Sequence, residues 1–343
     1  MTVFYKGPGA TLIHGDATRL TEYVEPESVD LIVTSPPYFA LRSYQDGGEH
    51  YGGQIGSEDT PEQFLEALWT VTEQCARVLK PSGSMFINLG DKYAGSGGNN
   101  NSNIGGEHRD PSSYNKNASV RNKSLMGLPW RYALGCIDGR VGDPLILRAE
   151  IIWHKLNGLP ESVTDRVRRN HEQWFHFTRE GSYFSGVDEI RESTTSAEGL
   201  SWEQRKALGF KGATRGINIQ KQPATDGNFA PNPLGKLPGS VWSMALEPLR
   251  VPDWLGVDHF AAFPTEWPRK LISGWCPEGG LVLDPFGGTG TVAMVARALG
   301  REALHVDLST DYLKLAKWRV FESGQWAKAV RRTNEDNQQT LDL

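Results

Sequence analysis

The chain has 343 residues, of which 38% are hydrophobic and 10% aromatic, enough to bury the core of one large domain with an inserted module or of two domains. No apolar run approaches the roughly 18 residues of a membrane span, and Met1 to Ala10 lack the basic-then-apolar order of a secretory signal, so a cytoplasmic protein with no membrane association is expected. Three widely spaced cysteines exclude a disulfide framework and a zinc cluster, and a net charge of -5 excludes a uniformly basic surface, although Lys92 to Lys221 carries an excess of Lys and Arg.

The first clear element in chain order is the apolar run Asp30-Leu31-Ile32-Val33-Thr34, which reads as a buried strand. Ser35-Pro36-Pro37-Tyr38 follows at its carboxyl end, where open α/β sheets place their chemistry. Two consecutive prolines fix an extended path and remove two amide donors, leaving carbonyl oxygens to accept hydrogen bonds from a substrate amine beneath an aromatic cover. Pro61 to Leu79 reads as an amphipathic helix with Phe64, Leu68, Val71, Cys75 and Val78 on its buried face. Residues 95–124 are rich in glycine, asparagine and serine and read as a long mobile loop or a tolerated surface insertion. Leu145 to Trp153 and Gln173 to Thr178 are strand-like, scaffold more than site. His154, His171 and His176 lack a compact ligand spacing, so no metal is assigned. Residues 186–239 form a second irregular region, and 326–343 a polar tail.

Near the end of the chain a strand candidate, Leu281 to Leu283, runs into Asp284-Pro285-Phe286-Gly287-Gly288-Thr289-Gly290 and then a helix from about Thr291 to Leu299. Glycines suit such a turn because backbone without Cβ can bend tightly and let a cofactor approach its amides. A further strand, Ala303 to Val306, ends in Asp307, placed to bind ribose hydroxyls or to cap the helix beginning near Ser309. Gly288 to Ala293 also fits the alanine-ended dinucleotide fingerprint. The acidic lead-in at Asp284 disfavours a pyrophosphate there and favours a cofactor with a cationic head. S-adenosyl-L-methionine, a sulfonium and an ammonium beside an adenosine, suits acids at Asp284 and Asp307.

These two motifs, in this order, resemble the β-arrangement amino DNA methyltransferases of bacteria and phages, in which the catalytic motif precedes the cofactor motif. Ile13-His14-Gly15-Asp16, Phe263-Pro264-Thr265-Glu266, and Glu150 to Lys155 continuing to His171-Glu172 extend the resemblance over most of the chain. It implies an α/β fold, a doubly wound, mainly parallel sheet of the S-adenosylmethionine-dependent methyltransferase type, with permuted motif order and inserted target-recognition segments. Residues 1–94, 125–185 and 240–325 would form the catalytic and cofactor-binding domain, 95–124 a DNA-facing loop and 186–239 the target-recognition segment. Asp16 would contact the cofactor's adenine, Asp307 its ribose, and Asp284, Pro285, Phe286, Gly287, Gly288 and Gly290 its methionine part, with Phe263, Pro264 and Thr265 closing over that end.

The same resemblance implies double-stranded DNA as the partner and a base flipped out of the helix at a cost of a few kcal/mol. Tyr38 would stack on that base while Ser35 and the Pro36 carbonyl accept the two amine hydrogens, and the methyl would pass in line with no covalent enzyme intermediate. Arg109, Lys116, Arg121, Lys123, Arg166, Arg168 and Arg169 are candidates for DNA phosphates, or a solvated charge run. No cysteine follows a proline, which argues against ring-carbon methylation by a thiolate. Among the resembled enzymes serine at position 35 favours the N4 amine of cytosine, with the N6 amine of adenine as the alternative. A catalytically silent DNA-binding module and a nicotinamide-dependent oxidoreductase are the readings from other classes. A cognate restriction endonuclease and a homodimeric state are both compatible with the resemblance.

Overall fold

The computed structural model describes residues 2–40, 45–46, 49–50, 54–95, 120–158, 161–192, 234–257 and 263–324. Arg109, Lys116, most of the 95–124 and 186–239 segments and the tail 326–343 lie outside the described residues.

The amino end is a hairpin of β1 (Thr2–Gly7) and β2 (Ala10–His14), followed by β3 (Val29–Thr34) and a two-residue pair, β4 (Gln45–Asp46) and β5 (Glu49–His50). Helix α1 (Pro61–Val78) starts where the chain specifies it. Thr60 accepts from the Gln63 amide while the Gln63 side chain accepts from the Thr60 amide, and Pro61 opens the first turn where no amide donor is needed. Its buried face holds Phe64, Leu68, Val71, Cys75 and Val78, as the spacing predicts. There follow β6 (Leu79–Leu89), α2 (Leu128–Ile137), β7 (Ile146–Lys155), β8 (His171–Thr178), β9 (Val241–Met244) and α3 (Glu266–Trp275). The chain closes with β10 (Leu281–Asp284), α4 (Thr291–Ala298), β11 (Glu302–Asp307) and α5 (Thr310–Lys317), which runs into a π-helical turn, Trp318–Glu322.

Among the described residues nine strands form one sheet in the order β1-β2-β11-β10-β3-β6-β8-β7-β9. The run from β2 to β6 is parallel throughout, whereas β1 and β8 are antiparallel to their neighbours. Side chains alternate between two cores, one on each face of the sheet. Ile32, Met85, Ile87, Phe175 and Leu283 pack with α1 and α2, while Leu31, Val33, Phe86, Trp174 and Val282 pack with α3 and α4. The expected doubly wound, mainly parallel α/β fold is therefore the one observed. On the second face Trp174, Trp267 and Trp242 stack at 4.8 Å spacings, and Trp153 meets Trp267 edge-on, tying β7, β8 and β9 to α3.

The chain leaves β3 toward β6 in one direction and β10 toward β11 in the other, so the sheet's topological switch point falls between β3 and β10. That crevice, beyond the carboxyl ends of the strands, is where sheets of this kind bind ligands.

Candidate active site

At this edge a cavity of about 640 Å³ is lined by the ends of β2, β3, β6, β10 and β11, within the size range of small-molecule sites. Because β8 runs antiparallel to β6 and β7, its first residues come to the same edge as the last residues of β7. Lys155 and Glu172 therefore line the cavity together with Ser35, Pro36, Pro37 and Tyr38.

The loop after β3 is held by a polar network. Asn88, buried near the end of β6, donates through Nδ2 to the Gln173 carbonyl at 3.1 Å, which fixes its amide so that Oδ1 faces β3. Ser35 Oγ donates to that Oδ1 at 3.1 Å. The Tyr38 hydroxyl lies 3.0 Å from the same oxygen and 2.8 Å from Glu172 Oε2, two acceptors for its single proton. Glu172 is in turn paired with the Lys155 ammonium, which sits over the Trp153 ring at 4.7 Å. A Cβ on Gly90 would come within 2.8 Å of Tyr38 Cε2, so the tyrosine ring lies directly against bare backbone. Phe39, buried against Phe64 with ring centroids 5.5 Å apart, anchors the loop from behind.

The glycine turn follows β10, the neighbouring strand. Asp284 Oδ1 accepts from Thr34 Oγ1 at 2.6 Å and from the Phe286 amide at 3.1 Å, which joins the two loops directly. Burial raises the Asp284 carboxyl to about 7, the nearby Asp307 adding to the rise and the two hydrogen bonds opposing it. Asp307 accepts from the Gly288 amide at 2.7 Å and from the Ser309 amide at 2.8 Å, and so closes the turn over the end of β11. Gly290 has φ +78° and caps α4, and a Cβ there would meet Ala316 at 3.0 Å. Gly287 lies against the buried imidazole of His305, which a Cβ would approach to 2.1 Å. Gly287→Ala is therefore expected to destabilise the fold by about 1–3 kcal/mol through overpacking, seen as a lower midpoint in thermal unfolding, and an unchanged midpoint would refute this packing.

The remaining expected residues fall as follows. Asp16 lines the cavity and caps the short helix Ala17–Glu22, accepting from the Thr18 amide at 2.8 Å. Phe263 lines the cavity with its ring edge-on to Trp174 at 5.5 Å, whereas Thr265 donates through both amide and hydroxyl to Glu247 Oε2 at 2.9 Å. Arg169 lines the cavity and Arg168 is exposed. Arg166 is engaged with Glu161 at 2.7 Å and stacked 3.8 Å over Tyr93. Arg121 and Lys123 are exposed, Lys123 lying 3.8 Å from Asp165.

A catalytic-type loop and a glycine turn thus meet across one crevice, joined by Thr34 and Asp284. Comparison with known families agrees, because the N6/N4 methylase family, described as DNA methylase, matches residues 29–318. The chain belongs to this DNA methylase family. It is 32% identical over 319 residues to the type II methyltransferase M.SmaI of Serratia marcescens, covering 90% of each chain. It is 24% identical to the DNA adenine methyltransferase YhdJ of Escherichia coli over 94% of this chain and 88% of that one. Among solved structures, the PvuII DNA methyltransferase (cytosine-N4-specific) shares the fold with a TM-score of 0.63 at 16% identity, over 96% of this chain and 94% of that one.

With the family shown, the nicotinamide reading of Gly288 to Ala293 falls. In this DNA methylase the strands β7 and β8 are more than scaffold, because Trp153, Lys155, His171 and Glu172 at their ends line the cavity. Sequence reasoning also passed over Asn88 and Arg319. The end of β6 could have been found by the rule applied to β3, since the apolar run Met85-Phe86-Ile87 leads straight into Asn88. For Arg319 no local signal exists.

Proposed function

We propose that this DNA methylase transfers a methyl group from S-adenosyl-L-methionine to the N4 amine of cytosine flipped out of duplex DNA. The cavity suits that cofactor. It offers carboxylates at Asp16, Asp284 and Asp307, an aromatic wall at Phe263 and Phe286, and threonine hydroxyls at the start of α4. When bound, S-adenosylmethionine supplies an electrophilic methyl on a sulfonium. Asp307 and Asp16, at the ends of β11 and β2, hold the nucleoside, and the turn from Asp284 to Gly290 takes the amino-acid end.

One observation carries the amine chemistry: Ser35 Oγ gives its proton to Asn88 Oδ1, so its lone pairs are left to accept a hydrogen from the target amine. With the Pro36 carbonyl as second acceptor, both amine hydrogens are drawn away from the ring plane and the nitrogen lone pair is freed from the ring. Tyr38, backed by Gly90, stacks on the base and fixes its approach. With Ser35 and Pro36 holding its hydrogens, the amine would be the nucleophile toward the sulfonium methyl, sulfur would keep the electron pair of the broken carbon–sulfur bond, and the surplus amine proton would pass to solvent. Orientation and a preorganised polar pocket supply the rate. Arg169, which lines the cavity, and the exposed Arg168 are the side chains assigned to the DNA backbone.

Ser35 supports cytosine over adenine as the base, since serine is the commoner choice here among the resembled enzymes that act on cytosine. Incubation with mixed-sequence duplex DNA and deuterium-methyl S-adenosylmethionine, digestion to nucleosides and mass spectrometry should give labelled N4-methylcytosine. Labelled N6-methyladenine instead would keep the mechanism and overturn the base. The name type II carried by M.SmaI makes a cognate restriction endonuclease the partner to seek.

A further inference from the structure

Arg319 lies in the π-helical turn after α5 and is only 5% exposed, a cation that the chemistry above does not use. Its Nη1 donates to Thr291 Oγ1 at 2.6 Å and to Thr289 Oγ1 at 2.8 Å. Both threonines line the cavity. A hydroxyl whose oxygen accepts from a guanidinium still has its own proton to give. The two hydroxyl oxygens are 3.4 Å apart, so at most one of those protons is spent between them. At least one hydroxyl is thereby made a donor, polarised by the positive charge behind it.

The charge of the surroundings gives this a purpose. Asp284 and Asp307 flank the same turn, and by themselves would repel an anion. Burial lowers Arg319 to about 10, with Glu247 opposing the fall, so the guanidinium remains charged at neutral pH. Glu247 also holds Thr265, which links Arg319 electrostatically to the segment that carries Phe263.

We propose that Arg319 is a positioning residue that makes the Thr289–Thr291 hydroxyl pair a donor to the carboxylate of the cofactor's amino-acid end. This rests on the S-adenosylmethionine reading of the cavity and assigns the polarity of that end: carboxylate toward the threonines, ammonium toward Asp284.

The test compares two ligands by calorimetry on the full chain: S-adenosyl-L-homocysteine, which carries the carboxylate, and 5′-methylthioadenosine, which lacks the whole amino-acid end. Arg319→Met is expected to weaken the first by about 10- to 100-fold and the second by less than about 3-fold. Thr289→Val, which keeps the guanidinium and the side-chain shape, should show the same ligand-selective loss and serves if Arg319→Met does not fold. Arg319→Lys, retaining the charge but reaching fewer hydroxyls, should fall between wild type and Arg319→Met. Equal losses for both ligands would mean that Arg319 merely braces the turn, and would overturn the proposal. A wild-type chain that binds neither ligand would overturn the cofactor reading, and the proposal with it.

Discussion

Tyr38→Ala is expected to lower turnover on DNA by about 10²-fold or more, while affinity for S-adenosylhomocysteine stays within about 3-fold of wild type. The first figure follows from base–aromatic stacking of about 1–3 kcal/mol, to which a lost alignment of the target amine adds. The second follows from position, because Tyr38 is backed by Gly90 at the end of β6, whereas the glycine turn belongs to β10 and is closed by Asp307. Tyr38→Phe separates the ring from its hydroxyl. It keeps the stacking face, and both groups bonded to the hydroxyl retain other partners, since Ser35 still donates to Asn88 and Lys155 still pairs with Glu172. A loss of no more than about 10-fold is expected. Steady-state rates with a labelled methyl donor, together with calorimetry of the ligand, decide the matter. If Tyr38→Ala weakened ligand binding and turnover equally, the aromatic-cover role would be wrong.

How much of this could be read in advance depends on whether a residue's role is set along the chain or across the sheet. The strand ending at Thr34, the helix from Pro61 and the β10-α4-β11 unit were legible because each carries its own signal: an apolar run, apolar residues recurring at helical spacing, or a glycine turn between a strand and a helix. The amino ends of antiparallel strands carry no such signal. Glu172 reaches the site only because β8 runs against β6, and that pairing spans residues far apart in the chain. Asn88 acts through a side chain turned by the Gln173 carbonyl, and Arg319 through a π-helical turn that brings it behind threonines 28 and 30 residues earlier. The glycines were legible as a turn, but their neighbours were not. Gly287 is placed against His305 and Gly290 against Ala316, internal contacts that accompany whatever ligand the turn receives.

Asp284 should make cofactor binding depend on pH in the neutral range. Its carboxyl, ordinarily near 3.8, is held at about 7 by burial, so near neutrality much of the unliganded protein carries the proton. Both observed hydrogen bonds go to Oδ1, which leaves Oδ2 for a ligand. A cationic ammonium placed there favours the carboxylate, so binding should release a proton, and affinity should rise as pH increases from about 6 to 8 before levelling. Calorimetry of S-adenosylhomocysteine in two buffers of different ionisation enthalpy measures that proton directly. Stability runs the other way. The folded carboxyl holds its proton more tightly than the unfolded one, so the stability this group contributes is present below about 4 and is lost as pH rises through about 7. Asp284→Asn should therefore flatten both profiles, leaving the unliganded protein more stable than wild type at pH 8 yet binding ligand more weakly. An affinity that does not change between pH 6 and 8 in wild type would remove Asp284 from the binding of the cation. The opposite slopes are the mark of a site whose charge is unfavourable in the empty protein and is offset only when its ligand arrives.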